Sequence, residues 1–300
     1  MAALAPNAAS QVSMAFRFGR KKQQAPEQAE DSTSQKALER PSAEEIYRQV
    51  LRNARDELKR STASLAISGF AGGTFMGLSA LGVALALSML GTGPIASFCA
   101  RMFYPLGFIV VIVGRAQLFT ENTLYPVALV LAEKKHVWKT LRLWSIVLPT
   151  NMLGALAFAC LASYTDALNP HVRNALVQLG LDATTPSIST IFWSGVMGGW
   201  IIAMMAWLVS ASHSITGSVA LIWMLTFVVG LGGFAHCIAT SGEVLTAVLT
   251  HHTRWIHYFT WFVPAVSGNI CGGIGMVTIL EYGQVIYGGH ADSGNQQPPM

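Results

Sequence analysis

Ser68-Gly69-Phe70-Ala71-Gly72-Gly73 returns 126 residues later as Ser194-Gly195-Val196-Met197-Gly198-Gly199, and Asn151-Met152-Leu153-Gly154 returns 118 residues later as Asn269-Ile270-Cys271-Gly272. Between the members of each set lies an apolar run with a polar interruption, one at Thr120 and the other at His236, 116 residues apart. Three matched features in the same order mark an internal repeat. Each half holds three apolar runs, an odd number, so the halves must lie upside down relative to each other. Interrupted helices then meet near the middle, the inverted-repeat design.

The solvent that fits these runs is a bilayer. Of 300 residues, 52% are hydrophobic and only 11% charged, with a mean hydropathy of +0.45; a soluble domain carries about 25% charged residues. Apolar runs cover 65–90, 95–113, 143–164, 188–209, 219–235 and 256–280, and about 20 residues cross a hydrocarbon core. The second run is interrupted at 114–122 and continues over 123–132. The fifth stops at Ala235-His236-Cys237, resumes weakly and ends near Thr250. The expected fold is an all-α membrane protein over residues 63–287, with six transmembrane helices in a 3+3 inverted repeat, the second and fifth helices broken.

The flanks are polar. Residues 1–41, rich in Ala, Gln, Ser and Pro, are expected to form a disordered cytoplasmic tail, and 288–300 a disordered C-terminal one. Residues 42–62 fit an amphipathic cytoplasmic helix. Ser42 and Glu45 have the spacing of a capping box, and Ile46, Val50 and Leu51 stand among Arg48, Arg52, Arg55, Lys59 and Arg60. Such a helix can lie on the membrane surface, dock on a neighbouring subunit, or simply be solvated. No h-region follows the basic run Arg17–Lys22, so a secretory signal is not expected; a basic, acid-poor opening also admits an organelle transit peptide. Eleven Lys and Arg precede residue 62 and four more (Lys134, Lys135, Lys139, Arg142) fall in the second cytoplasmic segment, against Arg173 and Arg254 on the other side. That bias puts both termini in the cytoplasm.

His236 is an ionisable group inside an apolar run, which is costly unless it serves a pathway or is satisfied by a backbone carbonyl. Thr120 stands at the other break, where its hydroxyl can donate to an anion or to the imidazole, or close its own turn. Asn151 and Asn269 are placed to bond backbone freed by the breaks. Arg115 and Glu121 flank the first break and can pair, since an unpaired charge there is expensive. The glycine-rich steps are packing devices that let helices approach closely. His251, His252 and His257 fall on an outside loop and are not expected to hold metal. Cys99, Cys160, Cys237 and Cys271 lack metal or disulfide spacing and read as packed thiols. No Gly-x-Ser-x-Gly or His-Glu-x-x-His occurs, so an enzyme is not expected, and neither a cofactor nor a nucleic-acid partner is.

Gly114-Arg115-Ala116-Gln117-Leu118-Phe119-Thr120, Asn151–Gly154, Gly233-Phe234-Ala235-His236 and Gly268-Asn269-Ile270-Cys271-Gly272-Gly273 resemble the signatures of the formate/nitrite transporter family, over residues 60–285 and in family order. The basic tail looks most like its YfdC-type branch. The resemblance implies an aquaporin-like six-helix protomer, a homopentamer in the inner membrane, and one pore per protomer for small monovalent anions such as formate or nitrite. It further implies a substrate pathway past Leu118, Phe119, Thr120, Asn151, Asn269 and the central His236. A weak-acid anion can cross an apolar constriction as the neutral acid, and His236 is expected either to supply that proton or to polarise the anion by hydrogen bonding. The sequence departs from the pattern at three places: Gln117 fills an acidic position, Ala235 replaces a Glu, and Ser218 aligns with a vestibule lysine. Arg115 is the candidate replacement for that lost charge. With those groups gone, a poorly conducting membrane scaffold or stress-response protein is the alternative.

Overall fold

A computed structural model describes residues 41–288; the tails expected over 1–41 and 288–300 lie outside them but for Pro41 and Gly288. Helix α1 (Ala43–Lys59) precedes the first crossing, α2 (Thr62–Leu90). The second crossing is made by α3 (Pro94–Arg101) and α4 (Pro105–Val113), and beyond its break by a short 3-10 turn (Glu121–Thr123) and α5 (Tyr125–Glu133). The third is α6 (Val137–Tyr164). Helix α7 (Pro170–Thr184) joins the halves. The second half follows with α8 (Ile188–Ala211), α9 (Ile215–Gly232), a break, α10 (Ser241–Leu249) and α11 (Trp255–Gly273). A π turn (Ile274–Thr278) leads on into α12 (Ile279–Gly288). Six of these segments are long and apolar enough to cross a membrane, and no strand occurs among the described residues.

The two halves are built alike. In the first, α2 packs along α6; in the second, α8 packs along α11. Glycine sets the closeness of both pairs. A Cβ on Gly73 would collide with the Asn151 carbonyl oxygen, and one on Gly199 with that of Asn269. Gly154 and Gly272 meet the opposite backbones in the same way, at Phe70 and Val196. In lipid there is no hydrophobic drive between helices, so this backbone-to-backbone approach is what provides dispersion contact. Met76, Phe108, Leu118, Phe158, Ile202, Ile238 and Trp261 belong to the shared core between the halves.

Helix α1 packs one face against the bundle of its own chain. Ser42 caps it reciprocally: its Oγ accepts from the Glu45 N–H at 3.2 Å and its own N–H donates to Glu45 Oε2 at 2.8 Å. Tyr47, Val50, Ala54 and Leu58 form a buried stripe. Tyr47 and Val50 pack with Leu124, Ala128, Ala203 and Trp207 of the same chain, and the Tyr47 hydroxyl donates to the Ala128 carbonyl at 3.2 Å. Burying Val50 and Leu58 contributes roughly 1.5–3 kcal/mol each, enough to hold a short helix against the bundle.

Three boundaries differ from the sequence reading. The second crossing is not one run over 95–113: Met102, Phe103 and Tyr104 make three-residue hydrogen bonds at 3.1–3.2 Å, because Pro105 has no N–H with which to continue an α-helix. Helix α6 starts at Val137, so Lys139 and Arg142 sit on its first turns rather than in a loop. There Arg142 donates to the Thr62 hydroxyl at 2.9 Å. Helix α7 was not expected at all. Asn169 caps it, accepting from the Val172 N–H at 3.0 Å, with Pro170 in its first turn, the usual start signals. Its buried Val172, Leu176 and Leu179 are spaced for one face.

Candidate functional site: a polar contact between two chambers

Non-helical backbone within a bilayer must find partners inside the protein, and both breaks do so by the same device. At the first, Asn151 Oδ1 accepts from the Phe119 N–H at 2.8 Å while its Nδ2 donates to the carbonyls of Gln117 at 2.8 Å and Gly69 at 2.6 Å. At the second, Asn269 Oδ1 accepts from the Cys237 N–H at 2.9 Å, and its Nδ2 donates to the carbonyls of Ala235 and Gly195, both at 2.8 Å. Serines complete the cradles: the Gln117 N–H donates to Ser68 Oγ at 3.1 Å and the Ala235 N–H to Ser194 Oγ at 3.0 Å. The Ser-Gly steps therefore bond the breaks as well as pack, a role that sequence reasoning missed although both serines begin the repeated motif.

These bonds fix the register of the repeat. Gln117 matches Ala235 and Phe119 matches Cys237, an offset of 118 residues rather than the 116 suggested by polarity alone. His236 thus stands where the other half has Leu118, and Thr120 where it has Ile238. Arg115 matches Gly233 in the same register, and both have left-handed backbone, with φ of 59° and 61°. Glycine adopts that region freely, whereas a side chain costs about 1–2 kcal/mol there.

His236 and Thr120 meet. Thr120 Oγ1 lies 2.8 Å from His236 Nε2, and both residues are buried. On its other side, His236 Nδ1 accepts from the Ala239 N–H at 3.0 Å. A nitrogen that accepts carries no proton, so the ring proton is assigned to Nε2, which donates to Thr120. The Thr120 proton is then left free for another acceptor. Phe108 covers the imidazole edge to face, with ring centres 5.0 Å apart, a contact that the sequence reading did not pick out. Leu118 is fully buried in the shared core. Phe119 turns instead onto Trp144, ring centres 5.5 Å apart.

A chamber opens on each side of this contact. One, of about 520 Å³, is lined by Gln49, Asn53 and Glu57 of α1 and by Arg115, Gln117 and Glu121 among others. Arg115 and Glu121 face the same space without forming an ion pair. Gln117 donates to Glu57 Oε2 at 2.7 Å and ties α1 to the break. The distal chamber, of about 310 Å³, is lined by the opposite ends of α8 and α9 together with Arg101, Tyr104, Asp182, Thr240 and Glu243. Ser218 lines the chamber beside α1. Outside the membrane segments, Glu133 accepts from Arg55 at 2.8 Å, from His136 at 2.9 Å and lies 3.3 Å from Lys135. These partners, Arg55 foremost, hold its carboxyl down at about 2. His251, His252 and His257 are exposed, and the last two share hydrogen bonds with Thr250 and Thr253. No cluster of metal-binding side chains occurs among the described residues.

Inverted three-helix halves whose broken crossings meet between two chambers define a membrane channel or transporter fold. The chain belongs to the formate/nitrite transporter family, whose family model, described as formate/nitrite transporter, matches residues 44–283. Among relatives, the inner membrane protein YfdC of Escherichia coli K12 is 31% identical over 80% of this chain and 78% of its own. The formate channel BtFdhC of Bacillus thuringiensis is 22% identical over 78% of this chain and 92% of its own. The fold is that of solved structures. An FNT family ion channel superposes with a TM-score of 0.71 at 16% identity, covering 81% of this chain and 98% of that one. A pentameric formate channel with formate bound gives 0.63 at 18%, covering 75% and 97%. The family is one of transporters rather than enzymes.

Proposed function

We propose that the chain forms a pore for small monovalent weak-acid anions of the formate or nitrite type, one per protomer of a homopentamer in the inner membrane. Both termini are cytoplasmic, which makes the chamber beside α1 the inner one. The observation that carries this reading is the buried Thr120–His236 contact at 2.8 Å between two polar chambers. An anion reaching it exchanges water for hydrogen bonds: His236 donates through Nε2, and the Thr120 hydroxyl, no longer needed as an acceptor, turns to donate as well. Stripping water from an ion costs several kcal/mol, and two donors return part of that. Because Nδ1 is occupied as an acceptor, the role this geometry supports for His236 is to polarise the anion rather than to hand over a proton.

The alternative is a scaffold that conducts poorly. Neutral residues at 117, 218 and 235 favour it. Flux of formate, nitrite, lactate and hydrosulfide into liposomes holding the purified protein separates the two. Uptake of any of them that His236→Leu reduces at least tenfold supports the pore; no uptake of any supports the scaffold.

A further inference from the structure

If His236 polarises without giving up a proton, a weak acid that crosses neutral takes its proton elsewhere. We propose that Glu243 is that proton donor and that, with the Tyr104 hydroxyl, it forms a subsite for a small carboxylate in the distal chamber. The proposal rests on the weak-acid reading above and assigns the source of the proton.

Glu243 lies in the first turn of α10, buried, and lines the chamber wall. No hydrogen bond or ion pair holds its carboxyl among the described residues, so its oxygens are available to a solute. Tyr104 is only 4% exposed and lines the same chamber; its hydroxyl makes no well-formed hydrogen bond, with the Thr240 side chain close enough to interact with it. A buried hydroxyl without a partner costs about 1–3 kcal/mol, a cost that a bound carboxylate oxygen relieves. The Tyr104 ring leads inward: it lies 5.5 Å from Phe108, which lies 5.0 Å from the imidazole. The subsite therefore adjoins the constriction.

The other groups facing Glu243 do not serve as donors. Arg101 from α3 brings a guanidinium that neutralises part of the charge of an arriving anion. Tyr104 has a phenol that holds its proton to about pH 10 in water. Asp182 from α7 is exposed at the rim and accepts from Gln178 at 2.7 Å. Cys237, in the adjoining break, is buried and is not part of the chamber wall. Helices α8, α9 and α11 add only hydroxyl, backbone and apolar groups to the wall. In the transfer, the O–H bond on the Glu243 carboxyl breaks and a new one forms on the substrate's carboxylate oxygen. The neutral acid moves to Thr120 and His236, and the Glu243 carboxylate takes back a proton from water at the rim.

The test uses the full chain in liposomes, with a lumenal pH dye and labelled formate supplied at pH 7 on the distal face. In the wild type, protons and formate arrive together. Glu243→Gln should lower both the rate and the proton-to-formate ratio at least fivefold, while Glu243→Asp keeps the ratio. Tyr104→Phe should raise the KM for formate severalfold at an unchanged ratio, and it decides the subsite if Glu243→Gln does not assemble. A Glu243→Gln variant with the wild-type ratio overturns the donor even if its rate falls, and an unchanged KM in Tyr104→Phe overturns the subsite. A wild type that moves none of the four anions takes the pore reading down as well, whereas a pore that works with Glu243→Gln unaffected removes this proposal alone.

Discussion

Asn151 and Asn269 make the same three hydrogen bonds in opposite halves of the chain, each accepting one backbone N–H and donating to two carbonyls. One side chain per break thus replaces the helical ladder that the break interrupts. Its own helix, α6 or α11, is held against α2 or α8 by glycine contacts, so the amide is positioned by the tightest packing in each half.

Asn151→Leu keeps the volume and removes all three bonds, leaving the Phe119 N–H and two carbonyls buried without partners. At about 1–3 kcal/mol for each such group, the variant should lose most of its assembled fraction. Size-exclusion chromatography after a heating series in detergent measures this, and Asn269→Leu should behave alike. A wild-type melting profile for either would show that the breaks are held by something else.

Thr120→Val removes one hydroxyl and little volume. With no hydroxyl to accept from Nε2 or to donate to an anion, a hydrogen bond to a charged group worth about 1.5–3 kcal/mol is lost, so anion flux should fall roughly 10-fold to 100-fold while assembly is kept. Stopped-flow uptake into liposomes reads the change. Thr120→Ser, which keeps the hydroxyl, should retain most of the flux.

Arg115→Gly and Arg115→Gln separate backbone strain from charge. Glycine relieves the left-handed conformation at residue 115 and should raise stability by about 1 kcal/mol; glutamine should not. Both remove the cation from the chamber beside α1 and should cut anion flux severalfold. Equal flux in the wild type and both variants would retire Arg115 as the stand-in for the charge missing at Ser218.

Glu133 links α1, through Arg55, to the end of α5 and the start of α6. Its carboxyl is depressed in the folded chain, so its contribution is present above the ordinary carboxylate pKa of about 4.5 and is lost as pH falls from there through about 2. Glu133→Gln at pH 7 should therefore speed amide exchange in α1, and the wild type should approach the same rate on acidification below pH 4.5. Unchanged exchange in the variant would mean that the packing of Tyr47 and Val50 on the bundle and the Gln117–Glu57 hydrogen bond secure the helix without Glu133.

The six crossings and the inverted repeat are legible in the sequence, because length and apolarity are local properties and the Ser-Gly and Asn motifs recur in order. The meeting of Thr120 with His236 is legible as well, from two polar groups at matching interruptions. The register is not. Matching polar residue with polar residue gives 116, while the backbone bonds to Asn151 and Asn269 give 118, and only geometry tells these apart. Helix α7 escapes because it is too short and mixed to read as a crossing, although Asn169-Pro170 announces its start. The distal chamber escapes for another reason: Arg101 with Tyr104, Asp182 and Glu243 come from three separated segments, and no spacing rule joins them.

The 118-residue register has a consequence for how such a pore changes its chemistry. Each break is a socket wired by the same asparagine and serine, and those wires contact backbone only, so they are indifferent to which side chain sits at the centre. One socket holds an imidazole and the other a leucine. The side chain at the centre of either break can therefore be exchanged with no redesign of the scaffold that carries it.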